Sequence, residues 1–157
     1  MTLYLQVPSL FSGVAMQSTV RVKKTQAAYF RKLALAEAKK SGKEIQAYLV
    51  GHVVSPQLVV IDSFHYTKKY ADQTTCFVRW FDDDYQVVKQ AAEAAGKHVI
   101  GDAHSHPDWD AVLSPTDYVS HIQEGYRIAG ICSTSQGRTR LRFWVAESAL
   151  PLKIEYI

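Results

Sequence analysis

From Thr25 onward the chain alternates helix-forming stretches with apolar runs of strand length, and no run continues long enough to be anything else. That alternation restricts the fold more than any other feature, because each amphipathic helix or half-apolar strand must cover its apolar side with a neighbour. The run TQAAYFRKLALAEAKK (residues 25–40) places Ala27, Phe30, Ala34 and Ala38 near one helical face, and Gly42 stands just past its end. EIQAYLVGHVV and QLVVIDSFHY read as two strands of a hairpin joined at Ser55-Pro56, and TTCFVRWF as another strand. The acidic triplet Asp82-Asp83-Asp84 reads as the capped start of a second helix, YQVVKQAAEAAG, closed at Gly96. HVIGDAH follows as a buried strand, SPTDYVSHIQ as a short helix, and RIAGICSTS with TRLRFWVAES as two strands meeting at a Gln136-Gly137 turn. Residues 1–22 read as one or two short strands or an edge arm. The expected architecture is α/β, in the sense of an α+β layered domain, with a mixed sheet flanked by helices; 157 residues suffice for one domain, 1–157, without repeats or linkers.

Composition removes several function classes. A net charge of +3 from 18 basic and 15 acidic residues, with the basic residues dispersed, gives no nucleic-acid footprint. The apolar runs fall far short of the ~20 residues of a membrane helix, and the N-terminus lacks the basic-then-apolar pattern of a leader. A cytoplasmic location is expected. The two cysteines, Cys76 and Cys132, form no CxxC pair and read as buried, reduced thiols.

Chemistry concentrates in the fourteen residues HSHPDWDAVLSPTD, which begin at His104. Residues two apart on a strand face the same side, so the imidazoles of His104 and His106 converge on one point. Pro107 ends the strand, and Ser114-Pro115 reads as an N-cap followed by proline at the first helical position. Asp117, three residues on, shares a helical face with Ser114 and points back at the histidines. Two nitrogens and one carboxylate oxygen are the three protein ligands of a catalytic zinc, with the fourth place left to water. Taken singly, Ser-x-x-Asp is usually a capping box and His-x-His a surface coincidence. With 6 His in the chain, chance production of the combined pattern has odds of roughly one in a thousand.

These residues resemble the JAMM (MPN-plus) zinc metallopeptidases, whose motif is His-x-His, seven residues, then Ser-x-x-Asp, and the likeness extends from about Glu44 to the strand around Cys132. The resemblance implies a cytidine-deaminase-like JAMM/MPN core holding one zinc ion on His104, His106 and Asp117. The family also uses a glutamate seven residues before a glycine, and Glu44 stands seven before Gly51. On its own, Glu44 would be a solvated residue at a strand start; the resemblance implies a catalytic base, with Glu37, exposed by helical spacing, the weaker candidate. In the implied mechanism a zinc-bound water gives its proton to Glu44, the hydroxide attacks the scissile carbonyl, Ser114 hydrogen-bonds the oxyanion, and Glu44 protonates the leaving amine.

The implied substrate is a ubiquitin-like protein or its conjugate, cut after its C-terminal tail, the tail binding by strand addition. Gly101-Asp102-Ala103 replaces the Gly-Trp-x of many eukaryotic members and points to a small prokaryotic type, placed in a bacterial conjugation or antiviral system. Asp102 is either a partner for an imidazole or a solvated residue on the same strand face. About ten residues separate Asp117 from the strand RIAGICS, too few for the insertion by which some relatives select polyubiquitin linkages. His52, His65, His98 and His121 lack ligand spacing, Trp109 reads as a loop aromatic that packs locally, and Cys132 as a buried thiol; none enters the metal set. A metal-free scaffold, a DNA-associated member and a small-molecule amide or sulfur-carrier hydrolase are the alternatives. Neither the modifier nor the oligomeric state is written in the sequence.

Overall fold

The computed structural model describes residues 18–157. Its strands form an eight-stranded mixed sheet in the order β10-β1-β3-β2-β6-β7-β8-β9, from β1 (Thr19–Val22), β2 (Gln46–Ser55), β3 (Leu58–His65), β6 (His98–His106), β7 (Ile128–Ser133), β8 (Arg140–Val145), β9 (Leu150–Pro151) and β10 (Lys153–Tyr156). A separate two-stranded ribbon joins β4 (Tyr70–Gln73) and β5 (Val78–Trp80). The helices are α1 (Lys24–Lys40), α2 (Asp82–Ala94) and α3 (Pro115–Glu124). The expected mixed sheet flanked by helices is thus the observed one.

Alternation along β2 and β6 divides the interior into two faces. Ala47, Leu49 and Ala103 pack with Ala27, Phe30 and Ala34 of α1, whose fully buried Phe30 contributes roughly 2–3 kcal/mol. Tyr48 points the other way, into a cluster with Trp80, Tyr126 and, from α2, Tyr85 and Val88. The even-numbered residues of β6, Asp102, His104 and His106, share that second face. The antiparallel β2–β6 register pairs Tyr48 with Asp102 and Gln46 with His104. Ser105 N donates to Ile45 O (3.0 Å), which carries the register one step further and sets Glu44 level with His106.

β6 and β7 run parallel, with α3 as the crossover between them. The histidines therefore end a strand at its carboxyl edge, where α/β sheets place their ligands.

Several expectations need correction. Of the two readings of residues 1–22, the short strand is present as β1 and the edge arm is not, because β1 lies inside the sheet between β10 and β3; residues 1–17 lie outside the described residues. The strand expected from TTCFVRWF shrinks to Val78–Trp80, and its partner β4 was not expected, because YADQ carries no apolar alternation. Cys76 is exposed on the turn of that ribbon, whereas Cys132 is buried in β7, and both thiols are free. The acidic triplet caps nothing with a side chain: Phe81 is the N-cap, and Asp82, Asp83 and Asp84 fill the first turn, where their charge suits the helix dipole. The expected Gln136-Gly137 turn between β7 and β8 is present, as a short 3-10 turn over Ser135–Gly137 in which both residues have positive φ. Glu37 is half-buried, not exposed, and accepts from Gln73 Nε2 at 3.2 Å. Among the described residues, no helix is long and apolar enough to cross a membrane.

Candidate metal centre

Two elements deliver the three metal donors. Strand β6 carries His104 and His106, whose ring centroids lie 5.1 Å apart. Helix α3 carries Asp117 in its first turn. Ser114 caps that helix in two directions: its Oγ accepts from Asp117 N (3.1 Å), and its own N–H donates to Asp117 Oδ2 (3.1 Å). The capping box and the metal motif are therefore the same residues. Capping engages the Ser114 oxygen only as an acceptor, so its hydroxyl proton remains free to donate.

Asp117 Oδ1 stands 3.1 Å from His104 Nε2, and Oδ2 stands 3.4 Å from His106 Nε2. All three donor groups lie within 4.8 Å of one another. Tetrahedral zinc with ~2.0–2.1 Å bonds has ligand atoms ~3.3 Å apart, so these separations fit such an ion with little rearrangement. The tautomer fits as well. His106 Nδ1 faces the carbonyl of Asp110 at 3.0 Å, and a carbonyl only accepts, so the proton sits on Nδ1 and Nε2 presents its lone pair. His104, His106 and Asp117 can hold a metal ion. Trp109, 46% exposed, stacks on the His106 ring at 4.9 Å and 21°, and its carbonyl accepts from Ser133 Oγ (2.6 Å). Its local packing is thus against the site itself.

Glu44 precedes β2 and is 4% exposed. Its backbone is pinned by the unexpected strand: Glu44 N donates to Thr74 O (2.8 Å), and Gln73 Nε2 donates to Glu44 O (3.0 Å). Burial raises its carboxyl from 4.5 to about 7, against the pull of the His104 and His106 charges. Glu44, Ser114 and the three donors all line one cleft of about 540 Å³.

Electrostatics inside the cleft are dominated by the carboxylates. Burial alone would drive the His104 imidazole down, but Asp117, with Asp102 and Glu44 behind it, outweighs burial and holds it up at about 9. Burial pushes the Asp117 carboxyl up, yet His104, His106 and the Ser114 contact prevail and keep it well below the usual carboxylate range. The metal-free centre thus carries a proton where a cation would sit. Zinc uptake at pH 7–8 is expected to release about one proton per ion, and apparent affinity to climb about tenfold per pH unit until His104 deprotonates near 9. Calorimetry in two buffers of different ionisation heat measures both.

Two residues of this face, Gln46 and His121, were given no role by the sequence reading. Asp102 does find an imidazole, but it is that of His121, and its other oxygen accepts from Gln46 Nε2. The spacing of Asp117 and His121, one helical turn apart, was the available signal.

The model of the family "prokaryotic homologs of the JAB domain" matches residues 26–147. The chain belongs to this family. It is a small JAMM/MPN-type domain, and its possible metal-dependent hydrolase chemistry rests on the His-His-Asp group. Solved structures resemble this JAB domain in fold. The solution structure of protein DSY2949 from Desulfitobacterium hafniense is 16% identical with a TM-score of 0.66, covering 88% of this chain and 93% of that one. A protein from Salinibacter ruber is 20% identical with a TM-score of 0.59, covering 87% and 91%. No curated protein matches the sequence.

Proposed function

We propose that this JAB domain is a zinc-dependent isopeptidase or processing peptidase that hydrolyses an amide bond after the C-terminal tail of a ubiquitin-like protein, in the cytoplasm, within a bacterial conjugation or antiviral system. The observation that carries the reading is Glu44: a buried carboxyl held near neutrality in the same open cleft as three metal-donor groups. Two imidazoles and one carboxylate favour zinc. When bound, such an ion lowers the proton affinity of a water from ~15.7 toward ~7 and polarises a carbonyl.

The chain's own groups supply the remaining steps. Glu44 takes the proton of the attacking water and returns it to the departing amine, which a carboxyl near pKa 7 does in both directions at neutral pH. Ser114 donates its free hydroxyl proton to the oxyanion while its oxygen still caps α3. Phe77, Trp109 and Val112, each more than two-fifths exposed, line the cleft with apolar surface suited to an extended peptide.

The test loads the wild type and His104→Ala with zinc, measures metal per chain, and presents each with a ubiquitin-like protein fused through its C-terminal tail to a reporter. About one zinc per wild-type chain, lost in the variant together with reporter release, is expected. A wild type that takes up no metal and cuts nothing would favour a scaffold. One that binds zinc but cleaves only small amides would move the substrate to the small-molecule class.

A further inference from the structure

Gln46, Asp102 and His121 are 9%, 5% and 3% exposed, and they come from β2, β6 and α3. Burying polar groups costs more than burying apolar ones unless every partner is in place, so a buried polar trio needs a reason. Its connectivity supplies one. The Asp102 carboxylate accepts from Gln46 Nε2 on one oxygen and faces His121 Nε2 with the other. The opposite nitrogen of the His121 ring, Nδ1, donates to the backbone carbonyl of Asp117 at 2.6 Å. A continuous path of contacts thus runs from β6, two residues before His104, through His121 to the peptide of Asp117.

Helix α3 has little else to hold it in place. His121 is its one buried residue, while Val119 and Ile122, which an ordinary amphipathic helix would bury, are 51% and 47% exposed. Besides Asp117 itself, which faces His104 and His106, Tyr118 adds a side-chain tie, its hydroxyl donating to Glu147 O (2.8 Å). A helix seated by a histidine instead of a leucine gains direction: a hydrogen bond sets distance and angle, whereas apolar contact lets a helix slide. A metal ligand has a tolerance of only about 0.2 Å.

We propose that His121 and Asp102 are positioning residues, a strut between β6 and α3 that holds the Asp117 carboxylate on the two imidazoles; the proposal rests on the metal-site reading above. Gln46 completes the strut by occupying the second carboxylate oxygen, which keeps Asp102 turned toward His121.

The test compares His121→Leu, Asp102→Ala and Asp102→Asn with the wild type, using zinc affinity by competition with a chromogenic chelator and the visible absorption of the cobalt-loaded chain. His121→Leu and Asp102→Ala are expected to weaken zinc binding about 10–100-fold and to alter the cobalt bands. Asp102→Asn recovers most of the affinity, because its NH₂ donates to the bare Nε2 of a neutral His121 while its amide oxygen still accepts from Gln46 Nε2. Melting of the metal-free variants separates seating from folding, and if His121→Leu does not fold, the Asp102→Ala and Asp102→Asn pair carries the same comparison. Affinities within about twofold of wild type with unchanged cobalt bands overturn the strut alone. A wild type that binds neither metal overturns strut and function together, and weakened binding in a wild-type background that cleaves no tail fusion supports the strut while sinking the peptidase.

Discussion

Glu44→Gln is expected to retain a full complement of zinc and lose roughly 10²–10⁴-fold in turnover, the range a positioned acid-base group contributes. That is about 3–5 kcal/mol of barrier. The separation follows from placement: Glu44 lies outside the three-donor group, so the amide leaves the donors intact, but an amide cannot accept and return a proton. The same substitution is expected to stabilise the metal-free fold. A carboxyl whose folded value of about 7 exceeds its ordinary 4.5 binds more protons folded than unfolded, so wild-type stability falls as pH rises from 4.5 through 7. Above pH 7 the ionised group costs the fold roughly 3 kcal/mol. Metal-free Glu44→Gln should therefore melt about 5–10 °C above wild type at pH 8, with the gap closing near pH 4.5. A variant with wild-type turnover would place the base elsewhere; a gap that widens on acidification would deny the raised carboxyl.

Gly51→Ala is expected to cost about 4 kcal/mol or more and to give little folded protein. A Cβ at Gly51 would stand 1.9 Å from the carbonyl oxygen of Val60 and 3.0 Å from Ile100 Cδ1, so the contact is with backbone on one side and a core side chain on the other. The strand cannot retreat, because β2 is hydrogen-bonded to β3 and β6, and the β2–β3 register shifts between Val50 and Gly51. Val54→Ala, three residues on and 56% exposed, is the control and should change stability by less than ~0.5 kcal/mol. Chemical denaturation of both variants measures the difference, and a Gly51→Ala chain as stable as wild type would show that the sheet relaxes at this bulge. The glycine seven residues after Glu44 is thus a demand of close strand packing, not of chemistry. Gly101, whose Cβ would meet Ile128 O at 2.0 Å, makes the same demand where β6 meets β7.

What was legible in the sequence was what short-range geometry dictates. The alternation of two residues on β6 aligns His104 with His106, and the cap at Ser114 aims Asp117, because both relations are set by local backbone periods and survive any arrangement of the remainder. The long helix α1 and the β2–β3 hairpin were legible for the same reason. Illegible were the relations made by partners distant in sequence. Strand β4, with no apolar alternation, pins the backbone of Glu44 from 29 residues away. His121 pairs with Asp102 across the β6–α3 crossover, and Cys76 rides outward on a ribbon whose pairing is set by tertiary contact.

The chain's order of residues alone determined the layered fold, the convergence of two imidazoles and the carboxylate that follows them. Only the folded sheet decided that Glu44 is buried and held near neutrality and that Asp102 braces His121. Solvent exclusion and proton affinity are sums over everything that surrounds a group, and for these residues most of the surroundings come from other strands.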